Sequence, residues 1–516
     1  MDIFQKFGRM EKNSKGDPAM ILYQSTRGSK VKKSAAQAVI RGIAEDKGLY
    51  VPETMPEAFL TTAFLEGLKD KTYPEVAAAI LPAFLTDYTA EELQACIEGA
   101  YNLNKFSKEE IVPLQKAGGA WFLELYHGRT AAFKDMALSI LPYLLTTAMK
   151  KEGETKKVVI LTATSGDTGK AALEGFADVP GTEIIVFYPE TGVSQVQKQQ
   201  MITQEGDNTH VFGIRGNFDD AQTGVKKIFT DAEIAAKLDV LGCKFSSANS
   251  INIGRLVPQV VYYVWAYVQM LKEGAVRAGE AINVVVPTGN FGNILAAWYA
   301  KELGLPVKKF ICASNENNVL TDFINTGCYD ISERAFHVTS SPSMDILISS
   351  NLERLLYHLS GNDGEAIRTL MTALETEKKY WVNDAIRKGL SDFYGGCADQ
   401  QATAEAISAL WKEGYLMDTH TAVGYSVYSE YRAATGDETP AVIASTASPY
   451  KFADSVSAAI DLPAAADGFA ALAQLNAVTS VEVPKGLQNL DKKAVRHPGV
   501  CEKDGMTDVV FESLKG

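Results

Sequence analysis

From about Trp121 onward, short apolar runs alternate with helix-compatible segments, and this alternation limits the fold more than any other feature. The runs are "KVVILTAT" (157–164), "TEIIVFYP" (182–189), "INVVVPT" (282–288), "KKFICASN" (308–315) and "AVIASTA" (441–447). They are apolar almost throughout, so both faces of each strand must be covered. Helix-covered parallel strands meet that demand, and the order of segments predicts βαβ units in an α/β fold. The first hundred residues read differently. "TTAFLEGLKDKTYPEVAAAILPAFL" and "TAEELQACIEGAYN" carry apolar residues at three- and four-residue spacing, the second behind a threonine N-cap, which predicts helices. The tail from "KKAVRHPGV" to Gly516 reads as a short surface extension.

The 516 residues are more than one hydrophobic core usually serves, so two or three domains are expected. A net charge of −13 leaves no basic face for phosphate backbones, which argues against nucleic acid as a partner. No apolar run is long enough to cross a membrane, and residues 1–33 lack the apolar core of a signal peptide. The cysteines Cys96, Cys243, Cys312, Cys328, Cys397 and Cys501 are far apart, without metal-ligand spacing. Reduced thiols in a cytoplasmic protein with no metal are the expectation.

In such folds ligands sit at the carboxyl ends of strands, against helix N-termini. Three strand ends carry unusual loops: "TATSGDTGKAALEGF", "VVVPTGNFGNILAAWYA" and "IASTASPYKF". The first two are glycine-rich turns into helices, whose free amides suit an anion. The alternative is that each turn is only punctuation. Lys134 adds a further oddity, lying in the apolar stretch "ELYHGRTAAFKDMAL" (124–138). Desolvation lowers an amine's pKa and favours its nucleophilic form, so a buried lysine beside a phosphate cradle points to pyridoxal phosphate. The competing reading is a lysine that snorkels to the surface.

The chain also resembles a known family. "YQSTRG", "GLYVPE", "HGRTAAFKD", "TSGDTG", "VSQVQKQQM", "GNFDDAQ", "SANSINIGRLVPQ", "PTGNFGN", "SNENNVLTDF", "DTHTAVGY" and "STASPYKF" occur in the order of the long bacterial and fungal threonine synthases. These belong to the tryptophan-synthase-β-like, fold type II, pyridoxal phosphate enzymes. The resemblance implies two open, twisted, mainly parallel sheet domains flanked by helices, plus a mostly helical N-terminal domain. It places that domain at 1–105, a large cofactor-binding domain at 106–155 and 275–516, and a small α/β domain at 156–274. A monomer or homodimer is expected.

The same resemblance implies residue roles. Lys134 would hold the cofactor through its amine and serve as acid and base. Gly289, Asn290, Phe291, Gly292 and Asn293 would bind the cofactor phosphate. Asp167 would lie near the phenolic oxygen and Thr446 at the pyridine nitrogen. Thr164, Ser165, Gly166 and Thr168 would take the substrate carboxylate, and Asn249, Ser250 and Arg255 its phosphate. A guanidinium fork with amide and hydroxyl donors also suits phosphate on chemical grounds. The implied reaction turns O-phospho-L-homoserine and water into L-threonine and phosphate. A phospholyase releasing 2-oxobutyrate and ammonia, and a non-catalytic homologue, are the alternatives. Arg129 in place of the family's proline, Lys170 in place of a small residue and Ser448 in place of a frequent histidine depart from the pattern.

Overall fold

The structure is a computed structural model that describes residues 20–515 apart from 57, 165 and 192. Ser165 and the first nineteen residues of the polar N-terminal stretch therefore lie outside the described residues. Two sheets organise the chain. The larger has six strands in the order Phe393–Cys397, Val307–Ser314, Ile282–Pro287, Ala441–Ser445, Ala120–Glu124 and Leu114–Ala117. Its neighbours are parallel except the last pair, a hairpin. Gly118 and Gly119 close that hairpin with φ of 52° and 74°, the left-handed pair a two-residue loop requires. The second sheet runs Val500–Glu502, Thr209–Arg215, Thr182–Pro189, Lys157–Ala163 and Cys243–Ser246, all parallel.

All five apolar runs read from the sequence are strands, and the central ones are buried at every position. The reading of the tail needs correction. Assigned to the large domain as a surface extension, it instead supplies an edge strand to the second sheet, Val500–Glu502 pairing with Thr209–Arg215. Helix Met506–Ser513 then buries Met506 and Val510 in that sheet's core with Ile214, Ala221 and Ile228. An uncovered parallel edge and an apolar helix stripe satisfy each other here. Helix Ile253–Lys272, assigned by sequence to the small domain, shares a buried core with N-terminal and large-sheet residues such as Val76, Phe84 and Val284. Eighteen of its residues are buried, so the helix is a central post between layers.

The N-terminal region is helical where expected. Thr61, Thr72 and Thr89 cap helices Thr62–Gly67, Tyr73–Ile80 and Ala90–Ala100, the last two with reciprocal glutamate capping boxes. Strands Tyr23–Ser25 and Tyr50–Pro52 form a small antiparallel pair. That pair is anchored by Arg354, which is fully buried and donates from Nε to the Tyr50 carbonyl at 2.9 Å. No described helix is long and apolar enough to cross a membrane.

Candidate active site

The segments leaving two adjacent strands are stitched together and deliver Lys134. Leu125 N–H donates to the Ser445 carbonyl (3.0 Å), Phe133 N–H to the Thr446 carbonyl (2.8 Å) and Ser448 N–H to the Ala131 carbonyl (3.0 Å). Between these stitches the backbone turns through Ala131 at φ 57°. Buried Asp135 closes the turn, accepting from the Thr130 N–H at 2.8 Å and hydroxyl at 2.7 Å. Lys134 is thus the first residue of a short helix, Lys134–Leu138, directly beside Thr446.

The polar contacts of the Lys134 amine among the described residues are few, and the Phe133 ring centre lies 5.4 Å from it. The amine donates to Ser343 Oγ at 3.3 Å and lies 3.7 Å from Asp167 Oδ2. Burial pushes its pKa down; Asp167 opposes this, while the nearby Lys451 and Arg255 charges add to it. Asp167 itself is nearly inaccessible, at 6% exposure. Burial alone would raise its carboxyl, but Lys451 and then Lys134 hold it well below the usual carboxylate range. Lys451 Nζ contacts Asp167 Oδ1 at 2.5 Å, and Gln197 Nε2 donates to the same oxygen at 2.9 Å. Asp167 is therefore an ionised carboxylate shared by buried Lys451 and partly buried Lys134.

Ser343 is fixed in turn. Its backbone N–H donates to His420 Nε2 at 3.1 Å, so the ring proton sits on Nδ1, which faces Asp418 Oδ2 at 2.8 Å. Asp418 also caps helix Thr419–Thr435 through the His420 and Thr421 N–H groups. Lys451, Ser343, His420 and Asp418 were not singled out from the sequence. Lys451 carried a legible signal, a lysine after the aromatic Tyr450 at a strand end, as Lys134 follows Phe133. Ser343 and His420 become partners only through contacts across 77 and 209 positions of chain, and Asp418 joins them through its neighbour His420.

Two groups of unpaired donors are separable by charge. The first is the loop after Ile282–Pro287, with Phe291 at φ 62° leading into helix Gly292–Glu302. Asn351 holds it, donating from N and Nδ2 to the Asn290 carbonyl at 3.1 and 2.9 Å, and the Ser349 hydroxyl donates to the Gly289 carbonyl at 2.7 Å. Gly289 cannot carry a side chain, because a Cβ would lie 2.7 Å from the Ser343 carbonyl oxygen. Asn293 accepts from the Tyr263 hydroxyl, yet its buried Nδ2 has no partner among the described residues. The second site holds a full charge. Arg255 is 3% exposed and donates from Nη1 to the Ala248 carbonyl at 2.9 Å. Its Nε has no partner and it makes no ion pair among the described residues. Burial lowers its pKa to about 10, leaving it cationic at neutral pH.

The remaining expected residues divide. Ser250 is half-buried beside Arg255's loop, whereas Asn249 is exposed. Gly166 is the N-cap of helix Asp167–Phe176, and the Asp167 and Thr168 N–H groups in its first turn have no intrahelical acceptor. Thr164 acts within the loop. Its hydroxyl accepts from the Gly166 and Gly169 N–H groups, both at 3.0 Å, and donates to the Gly166 carbonyl. With its bonds occupied, Thr164 shapes the loop instead of offering a donor. Asn290 is exposed and Thr446 buried. Of the departures, Arg129 and Lys170 meet on one carboxylate, Glu174, each at 2.8 Å. Ser448 caps the turn Pro449–Phe452.

Comparison with known proteins identifies the family. Residues 22–101 match the family described as "Threonine synthase N terminus", 109–446 "Pyridoxal-phosphate dependent enzyme" and 421–496 "Threonine synthase, C-terminal". The human protein "Threonine synthase-like 1" is 41% identical over 442 residues, covering 83% of this chain and 58% of that protein. The chain thus spans little more than half the length of that relative. Threonine synthase of Pseudomonas aeruginosa is 38% identical, covering 84% of this chain and 89% of its own. The crystal structure of pyridoxal-phosphate-bound threonine synthase from Brucella melitensis superposes with a TM-score of 0.85 at 34% identity, covering 96% of this chain and all of that one. The chain belongs to the threonine synthase family of pyridoxal-phosphate-dependent enzymes.

Proposed function

We propose that the protein is a threonine synthase, converting O-phospho-L-homoserine and water to L-threonine and phosphate with pyridoxal phosphate as cofactor. The observation that carries this reading is the separation of two anion sites around one buried amine. One is a neutral amide cradle; the other is the buried Arg255 guanidinium, which has no carboxylate partner among the described residues. The residues fit the cofactor: Gly289 leaves no room for a side chain, and Asn293 Nδ2 is an orphaned donor at the start of helix Gly292–Glu302. Gly289, Asn290, Phe291, Gly292 and Asn293 would hold its phosphate, Lys134 its carbonyl carbon, Asp167 the phenolic oxygen and Thr446 the ring nitrogen. When bound, the cofactor supplies an electron sink for the pair left when an α-carbon–hydrogen bond breaks.

The chain's own groups supply the rest. Burial leaves the Lys134 amine basic but readily deprotonated, so it can take the α-proton at Nζ. Ser343 and Asp167 hold that nitrogen from two sides. Gly166 and Thr168 at the helix start would receive the substrate carboxylate. Arg255, with Ser250, would bind the substrate's phosphate and stabilise the negative charge that grows as it leaves. Expelling phosphate from the γ-carbon also takes a proton from the β-carbon; the γ-carbon then gains a proton, the hydroxyl of a water adds at the β-carbon, and a proton returns to the α-carbon. The test is turnover of O-phospho-L-homoserine by the holoenzyme with threonine, 2-oxobutyrate and phosphate all measured. Threonine equal to phosphate is expected; phosphate matched by 2-oxobutyrate, or no phosphate at all, overturns the proposal.

A further inference from the structure

We propose that the protein carries a second ligand site, a cavity of about 390 Å³ that takes a phosphate-class oxyanion and communicates with Lys134 through Gln200. The cavity is lined by residues of several chain segments, among them Lys105, Arg129, Lys170, Gln200, Lys485 and Lys493. None of Lys134, Asp167, Asn249, Arg255, Thr446 or the 289–293 loop lines it, so it is distinct from both anion sites above.

Its charges are unbalanced. Glu174 is half-buried and already serves both Arg129 and Lys170. The other acidic lining residues, Asp178 and Glu205, are exposed. Lys105, Lys485 and Lys493 make no ion pair among the described residues; the Lys105 amine rests instead 4.7 Å from the centre of the Tyr143 ring. Burial, then the Arg129 charge, pushes the Lys105 amine down to about 8, the condition an anion in the cavity would relieve. Exposed Lys485 and Lys493 form the rim, and buried Lys170 and Gln200 the floor.

Gln200 is the second, independent observation. It is 1% exposed, and its Nε2 has no hydrogen-bond partner among the described residues. A buried amide donor left unpaired is unfavourable, and an oxyanion is the acceptor that completes it. The other end of the same amide, Oε1, accepts from Lys451 Nζ at 3.3 Å. Lys451 holds Asp167, and Asp167 lies beside Lys134. An anion that fixes the Gln200 amide therefore fixes the lysine that sets the charge around the reactive amine. Arg129 and Lys170, two of the departures from the family pattern, both face this cavity.

The test uses the holoenzyme. Crystals soaked in tungstate, an electron-dense phosphate mimic, should show an anomalous peak within hydrogen-bond reach of Gln200 and Lys105. Phosphate is then titrated against the cofactor's absorbance in an Arg255→Ala background, which silences the other charged site. Adding Lys105→Met should weaken phosphate binding by about tenfold, the loss of one charge-assisted contact. A phosphate monoester titrated alongside separates the sources: tighter binding marks an ester metabolite, equal binding free phosphate. Tungstate found only beside Arg255, or phosphate affinity unchanged by Lys105→Met, overturns the site. The anomalous peak does not depend on the proposed reaction, so a failed turnover assay and an empty cavity are separate results.

Discussion

At the scale of residues, the site is a problem of placing charges where water cannot screen them. The charges of Lys451 and Arg255 both act on Lys134, and Asp167, with a smaller contribution from Asp135, opposes them. Among the described residues Arg255 is the one of the three without a carboxylate in contact, which is why it is proposed as the receptor for an arriving dianion. Arg255→Ala should leave cofactor content near normal while lowering kcat/KM for phosphohomoserine. Truncating one partner of a desolvated charge pair costs about 2–5 kcal/mol, or roughly 30-fold to several thousand-fold. Part of the loss should fall on kcat, since charge develops on the departing phosphate. Lost cofactor with unchanged substrate affinity would mean that Arg255 serves the cofactor instead. Single residues were legible in the sequence when their oddity was local, as with Lys134 in its apolar stretch or Arg255 in "ANSINIGR". Ser343 and His420 were not, because their meaning lies wholly in contacts from distant segments.

At the scale of elements, strands were legible where they are buried on both faces. "FYGGC" (393–397) was missed because two adjacent glycines disguise a strand that packs tightly: a Cβ on Gly395 would lie 2.9 Å from the Thr321 carbonyl oxygen. The edge strand Val500–Glu502 was missed because so short a segment, exposed at both ends, carries no periodicity. The loop after Ile282–Pro287 makes the sharpest prediction at this scale. In Gly289→Ala the new methyl meets the Ser343 backbone, not a flexible side chain. The clash must push apart the cofactor loop and the residue that receives Lys134's hydrogen bond. Expected are a stability loss of about 1–3 kcal/mol and a several-fold fall in cofactor bound per chain, read from absorbance. Full occupancy would mean that the loop is not a phosphate cradle.

Helix Leu352–Leu359 offers a pH test. His358 Nε2 shares a hydrogen bond with the Tyr299 hydroxyl at 3.1 Å, and its ring packs against Trp298 and Tyr299, with ring centres 5.3 and 5.5 Å away. Burial, then the Arg354 charge, lowers its pKa to about 4. The folded value lies below the unfolded one, so between them the unfolded chain binds more protons and stability falls as pH falls. Between about pH 7 and pH 5 this one group should cost the fold about 2 kcal/mol. Urea unfolding of His358→Asn should show that much less acid sensitivity than the parent; equal sensitivity would place the loss elsewhere.

At the scale of the whole molecule, three regions must agree on one geometry, and Arg354 is where they meet. It is fully buried and donates to the Tyr50 carbonyl of the N-terminal strand pair at 2.9 Å. Its Nη2 donates to the Ile251 carbonyl at 2.5 Å, in the loop between Ser250 and the helix that carries Arg255. Its Nη1 donates to Asn351 Oδ1, and Asn351 holds the Asn290 carbonyl of the cofactor loop. A planar fork suits three acceptors in different directions, which an ammonium on a flexible stem does not. Arg354→Lys should therefore fail nearly as badly as Arg354→Met, each leaving buried carbonyl oxygens unpaired at about 1–3 kcal/mol apiece. The mark of a junction, as opposed to a merely stabilising arginine, is coupling. Both variants should bind cofactor less tightly and raise KM for phosphohomoserine together, although Arg354 lines neither proposed anion site. Arg27→Met supplies the comparison: it removes the Arg27–Glu353 pair on the same helix, at 2.9 Å, without touching Ile251 or Asn351. If that variant shifts both affinities as much as Arg354→Met does at equal loss of stability, general loosening accounts for the effect and Arg354 is no junction.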